Sequence, residues 1–278
     1  MEFATKDELY KYLKDNLVKL KAEKKAELKH ADAVDYVSVK ESSNSEFVVK
    51  AESTTESIEE GSILAKVVIN TTNLIDSHRD CHIPGLWKKT LQENKAFVHL
   101  REHQRTLDYV ISDDAAASVK MMNWTDLGYA YEGKTQALIF QSKISEERNE
   151  FMYKQYLKGW VKQHSVGMRY VNLFMCINSE EKYYAEEKTN WDNYYPQVAN
   201  KDKADEMGYF WAVTEAKLVE GSAVVFGSNA ATPTLSIKTT EPVNTPQEPI
   251  STQKDNTDSR NSTIDFEKIA NYLQTKQN

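Results

Sequence analysis

Hydrolysis of a peptide bond by a serine needs a hydroxyl made nucleophilic by an adjacent imidazole, a group that orients that ring, and backbone N–H donors where the oxyanion forms. The segment KGWVKQHSVGMRY (158–170) carries such a serine, Ser165, where a helix stopped by Gly159 gives way to a strand. Gly167 follows two residues later and would let the backbone approach a substrate carbonyl closely. The simplest oxyanion donors are backbone N–H groups from Ser165 through Val166 to Gly167, with Arg169 either helping or forming a surface salt bridge. His99 and His103 are four residues apart on one predicted strand, and alternation puts both on one face, so either can serve as base. His103 is the better placed, because a histidine at the strand end reaches a cleft more easily than one within a sheet. His164 adjoins Ser165 and in extended chain points the other way, as a packing or solvent-facing residue. Glu220 shares a face with Leu218, Ser222 and Val224, where a carboxylate needs a partner to offset its burial. Glu215 competes for that role but reads more simply as a solvated strand-end charge. GxSxG, HExxH and P-loop signatures are all absent, which removes several common enzyme classes.

Those residues must be held by a core, and 278 residues with 40% hydrophobic content are enough for one sizeable core plus appendages. The net charge of -7 argues against a protein that neutralises nucleic-acid phosphates. Cys81 and Cys176 stand far apart with no CxxC pair, so neither a disulfide framework nor a cysteine-rich zinc site is indicated, and a reducing compartment fits. No apolar run reaches the ~20 residues of a membrane span, and the expectation is a protein made and used inside a cell.

Along the chain, residues 5 to 29 show helical spacing of Leu9, Tyr10, Leu13, Leu17, Leu20 and Leu28, predicting one amphipathic N-terminal helix within a 1–36 segment. A strand and loop over 37–62 follow. The main domain is expected over 63–232, with strands at 63–70, 96–100, 108–112, 118–124, 129–133, 135–144, 163–177 and 209–227. A Pro-Gly turn and helix are expected over 80–94 with Leu86, Trp87 and Leu91 inward, and a helix over 145–160 capped by Ser145 with Glu146 and Glu147 in its first turn. The tyrosine-rich, acidic stretch between the last two strands reads as an insertion or a surface helix and loop. From Pro233 the composition turns to Thr, Pro, Gln, Asn and Ser, predicting a disordered 233–278 tail that ends in a short helix at 264–275.

Four ordered segments resemble the prohead (procapsid maturation) protease family of tailed phages: NLIDSHRDCHIPGLWKKTL (73–91), FVHLREHQ (97–104), YLKGWVKQHSVGMRY (156–170) and EAKLVEGSAVVFGSNAATPT (215–234). They are similar to that family's acidic turn with Pro-Gly and helix, its strand ending in the catalytic histidine, its Ser-x-Gly segment, and its Leu-x-Glu-x-Ser-x-Val strand. The resemblance implies Ser165 as nucleophile, His103 as general base and Glu220 as orienting acid, with His99 and Glu215 as alternates. It departs from the family at Met168, where an aromatic residue is usual, and at Phe226-Gly227-Ser228-Asn229, where Pro-Ala-Asn is expected. The implied fold is α+β, mainly β: a herpesvirus-protease-like antiparallel β-barrel with surrounding helices. The implied function is a serine endopeptidase inside the phage prohead in the host cytoplasm. It would cut scaffold protein or the amino-terminal segment of the major capsid protein, and itself, without metal or organic cofactor. A homodimer is an option of the same viral fold, and neither nucleic acid nor membrane is an expected partner. The alternative is a catalytically silent capsid-assembly or scaffolding protein on the same fold.

Overall fold

The computed structural model describes residues 3–28, 50–52 and 58–239, and the architecture is α+β. The predicted segments at 37–49 and 264–275 lie outside the described residues. Among the described residues nine strands join one mixed sheet: β1 (Lys50–Glu52), β2 (Ser62–Thr71), β3 (Asp80–His82), β4 (Ala96–Arg101), β5 (Val110–Asn123), β6 (Lys134–Ser145), β7 (Gln163–Ile177), β8 (Tyr209–Val224) and β9 (Thr234–Lys238). The ladder runs β1-β9-β2-β6-β5-β4-β8-β3, and β7 pairs on the other edge of β8. Three of these pairings, β1 with β9, β3 with β8 and β4 with β8, are parallel.

An antiparallel closed barrel is therefore not what forms. Among the described residues the ladder stays open, because β2 spends its two edges on β6 and β9 and so offers β7 none. β2 and β7 approach across the core through side chains instead: Val67 and Ile69 share one apolar cluster with Val166 and Met168.

Six helices among the described residues flank the sheet: α1 (Lys6–Asp15), α2 (Leu17–Ala26), α3 (Lys88–Glu93), α4 (Glu150–Leu157), α5 (Ala185–Tyr194) and α6 (Lys201–Met207). The single N-terminal helix expected over 5–29 is two, because Asn16 leaves helical geometry and turns its side-chain amide to the Tyr12 carbonyl, an alternative to the helical ladder. The pair is clamped to the body. Tyr10 and Leu13 are buried in the main core, Lys14 reaches the buried Glu187 at 2.6 Å, and Lys24 reaches the buried Asp80 at 2.5 Å.

Several local expectations are corrected by tertiary context. Residues 108–112 and 118–124 are not two strands: Leu107–Tyr109 is a short 3-10 turn and Val110–Asn123 one long strand along β6. Residues 129–133 are a turn in which Tyr129 and Tyr131 pack on Trp124. The helix expected from Ser145 starts at Glu150, because Ser145 is still paired with Ser62 in β6; Asn149 is the cap, its side chain accepting from the Met152 N–H. The stretch between β7 and β8 holds α5 and α6, and Trp191, Val198 and Ala204 bury against Phe210 and Ala212. Residues 233–239 are no tail: Thr234–Lys238 is β9, inserted between β1 and β2, so the main domain extends past 232. Among the described residues no helix is long and apolar enough to cross a membrane, and Cys81 and Cys176 are buried free thiols.

Candidate functional site

The site is built on β8 and its two neighbours. Antiparallel pairing sets Ser165 of β7 opposite Ser222 of β8, and Gly167 opposite Glu220. Directly opposed residues project on one side of the sheet, and so do residues two apart on one strand, so Ser165, Gly167, Glu220 and Ser222 share a face. On the other edge of β8, β4 runs parallel, with Val98 opposite Glu220 and Leu100 opposite Ser222.

His103 reaches that face through a turn. After β4 ends, Glu102 and His103 both adopt left-handed backbone, with φ of 51° and 55°. For side chains with a Cβ that conformation costs about 1–2 kcal/mol per residue. It persists here because neighbouring bonds hold it: the Glu102 N–H donates to the Ala223 carbonyl at 2.9 Å, the Gln104 N–H to the Arg101 carbonyl at 3.1 Å, and the Val225 N–H to Glu102 Oε1 at 3.2 Å. The turn folds the imidazole back over β8. His103 Nδ1 lies 2.7 Å from Glu220 Oε1, and the His103 backbone N–H donates to Ser222 Oγ at 3.2 Å. The Ser222 hydroxyl in turn donates to Glu220 Oε2 at 2.7 Å. Both carboxylate oxygens are thus engaged, and the histidine is held at ring and backbone by the same two β8 side chains. In the tautomer that donates Nδ1–H to the carboxylate, Nε2 carries the lone pair.

Ser165 is 2% exposed and its Oγ has no hydrogen-bond partner among the described residues. An unsatisfied buried hydroxyl costs on the order of 1–3 kcal/mol, so a hydroxyl of that kind beside a histidine–carboxylate pair calls for a chemical explanation.

Backbone polarity follows from two bonds. The Ala223 carbonyl accepts from Glu102, on the β4 side of β8. His164, opposite Ala223, sends its N–H to Thr232 Oγ1, away from β8. The antiparallel ladder alternates, so the N–H groups of Ser165 and Gly167 turn toward β8 and that of Val166 turns away. Of the expected donors, Val166 is the one whose N–H leaves the ladder.

Gly167 has a different reason for being glycine from the one its sequence context suggests. A Cβ there would lie 1.9 Å from Glu220 Oε1. The space above Gly167 is occupied by the carboxylate that holds His103, not kept open for a substrate carbonyl.

The alternates sit elsewhere. His99 is not on the face of His103, because the left-handed turn at 102–103 breaks the strand alternation. It is fully buried among Ser142 Oγ at 2.9 Å and the Tyr156 hydroxyl at 3.2 Å. The same Tyr156 hydroxyl lies 3.0 Å from His164 Nε2, while His164 Nδ1 faces the Thr232 carbonyl at 3.0 Å. Burial pushes His164 down to about 4, against the opposing pull of that carbonyl, and takes His99 well below the usual imidazole range. Both rings are neutral core groups at neutral pH. His164 does project opposite Ser165, as expected. Glu215 pairs with Asn172 in mid-strand rather than at a strand end, and lies 3.6 Å from Lys89. Arg169 is exposed, opposite Lys217. Ser222 is the residue that sequence reasoning passed over: its place two residues after Glu220 signalled a shared face but not the bridging bond. Among the described residues no group of three or more His, Cys, Asp or Glu gathers as a metal site.

Compared with known proteins, the chain matches no family model, no curated protein and no solved structure.

Proposed function

We propose that the protein is a serine endopeptidase of prohead-maturation type, acting inside the phage prohead in the host cytoplasm on scaffold protein or the amino-terminal segment of the major capsid protein, and on itself. The observation that carries the reading is the unpartnered, buried Ser165 hydroxyl on the same sheet face as the His103–Glu220 pair. The four-segment resemblance supports it, and the proposed relation to the herpesvirus-protease arrangement takes the form of an open sheet in which β2 and β7 approach without pairing.

In the proposed reaction Ser165 Oγ attacks the scissile carbonyl carbon while His103 Nε2 takes its proton. Glu220 holds the Nδ1–H and stabilises the imidazolium that forms. The carbonyl oxygen, now an oxyanion, is met by the Val166 N–H. Collapse of the tetrahedral species breaks the C–N bond, and His103 returns the proton to the leaving amine. Water then attacks the acyl-serine with His103 again as base, releasing the acid and restoring Ser165. Ser165 Oγ and His103 Nε2 share no hydrogen bond. Such contacts commonly tighten only when substrate is bound.

That separation is also the observation that favours the second reading, a silent assembly protein. Wild type and Ser165→Ala, each expressed with the phage's own scaffold and capsid proteins, separate the two when fragments are followed by mass spectrometry. Fragments that need Ser165 support the protease. Identical fragments from both, or none within assembled shells, leave the assembly protein.

A further inference from the structure

Beside the His103–Glu220 pair the surface opens into a cleft of about 610 Å³. Its lining includes Val98 and Leu100 of β4, Val110 at the start of β5, and Val219 and Glu220 of β8. Leu107, also in the lining, comes from the same loop as His103 and is 78% exposed.

Two features show how the cleft is made. Val219 neighbours Glu220 in sequence and in a regular strand would face the opposite side of the sheet. The β7/β8 register shifts there, however, from Gly167 opposite Glu220 to Met168 opposite Leu218, so Val219 is an extra residue on β8. A bulge of this kind re-aims its side chain, and Val219 joins Glu220 in lining the cleft. The second feature is Leu107. Leaving so much of a leucine in water forgoes its burial, and nothing in the described fold covers it.

We infer that this cleft is the subsite for one large apolar side chain of the peptide substrate, aliphatic or aromatic, within two residues of the cut bond on the His103 side. The inference rests on the protease reading, because the occupant is assigned from the cleft's continuity with the proposed base and acid. Wall chemistry selects the class: five aliphatic side chains line it, and Arg105, also in the lining, opposes a cationic residue. An apolar side chain entering would cover Leu107 and displace water from Val98, Leu100, Val110 and Val219.

The test is cleavage of a random synthetic peptide library by wild type, Ser165→Ala, Leu107→Asp and Val219→Glu, with products sequenced by mass spectrometry. Leu107→Asp is at an exposed position and leaves the fold intact. Full burial of one such side chain corresponds to a selectivity of roughly 10- to 100-fold. Wild type should therefore enrich Leu, Ile, Met or Phe by that order over Lys and Arg at one position near the cut. Leu107→Asp and Val219→Glu should each reduce that enrichment about tenfold or more among the products that need Ser165. Ser165-dependent cleavage with no apolar enrichment, or with a profile unmoved by both variants, overturns the subsite while the protease reading stands. Absence of any Ser165-dependent cleavage overturns the protease reading, and the subsite with it.

Discussion

Replacing Gly167 by alanine tests whether Glu220 is built into the site as the orienting acid. The new Cβ would meet Glu220 Oε1 at 1.9 Å, Cδ at 2.7 Å and Cγ at 3.0 Å. Ordinary contact begins near 3.4 Å, so the carboxylate oxygen must retreat by about 3.4 − 1.9 = 1.5 Å. It has little freedom to do so, because Glu220 is buried and bonded at both oxygens, to His103 Nδ1 and to Ser222 Oγ. A retreat of that size breaks the 2.7 Å bond to His103. Overpacking of this kind costs about 1–3 kcal/mol, and loss of a hydrogen bond to a charged group about 1.5–3 kcal/mol. The expected destabilisation is on the order of 3–5 kcal/mol, read as a shift in the denaturant unfolding midpoint. The His103 Nδ1 proton resonance, held downfield by the carboxylate, should disappear in the same variant. In a Glu220→Ala background the obstruction is gone, and Gly167→Ala should then cost about 1 kcal/mol or less. Equal cost in both backgrounds, or an unchanged Nδ1 proton in Gly167→Ala, would refute the account of the site.

Three further outcomes are expected. Ser165→Ala should leave unfolding stability unchanged or raise it by up to about 1 kcal/mol, because it removes a buried hydroxyl with no partner; a loss above 2 kcal/mol in a denaturant melt would mean that the hydroxyl is structurally engaged. Stability should fall as pH drops from about 6.5 to 5. Burial holds His82 and His164 down at about 4 and His99 well below 6.5, so the unfolded chain binds three protons there that the folded chain does not. Depressed folded values mean that this stability is present above 6.5 and lost on acidification. Asp76, raised to about 7 by burial and by Asp80, works the opposite way by one proton. The net approaches two protons near pH 5, where the slope nears roughly 3 kcal/mol per pH unit, and urea melts that are flat or rise toward acid would contradict it. Lys24→Met should cost about 3–5 kcal/mol by stranding the buried Asp80, to which, among the described side chains, only the Tyr170 hydroxyl would still donate at 2.8 Å, and Lys24→Met with Asp80→Asn should recover most of it. A thermal melt in which the double variant is no better than the single would show that the ion pair is not what anchors α2.

Local signals were sufficient wherever the pattern and the burial agree along one segment. The β7 bounds, the β2 and β6 runs, the Gly159 stop and the inward Leu86 and Trp87 could all be read from residue spacing, because hydrophobic alternation and helix punctuation are properties of short stretches. The nomination of Ser165, His103 and Glu220 likewise needed only residue types, order and the four-segment resemblance. Other features depend on what comes to lie alongside. TLSIK at 234–238 is too short and too polar in context to announce a strand, and it becomes β9 because β1 and β2 supply hydrogen-bond partners on both sides. Ser145 looks like a helix cap until Ser62 claims it for a ladder more than eighty residues away in sequence.

The site shows the same division. The sequence by itself determined which side chains could do the chemistry and that Ser165 and His164 must point apart, since strand alternation is set by covalent geometry. Only the tertiary structure placed His103 rather than His99 beside Glu220, because that placement turns on a left-handed turn held by Ala223 of β8 and Val225 just beyond it. Only it gave Ser222 a role, and only it showed that Gly167 is small to admit the Glu220 carboxylate. Those are contacts between β4, β7 and β8, and no period within one segment encodes the space left by another.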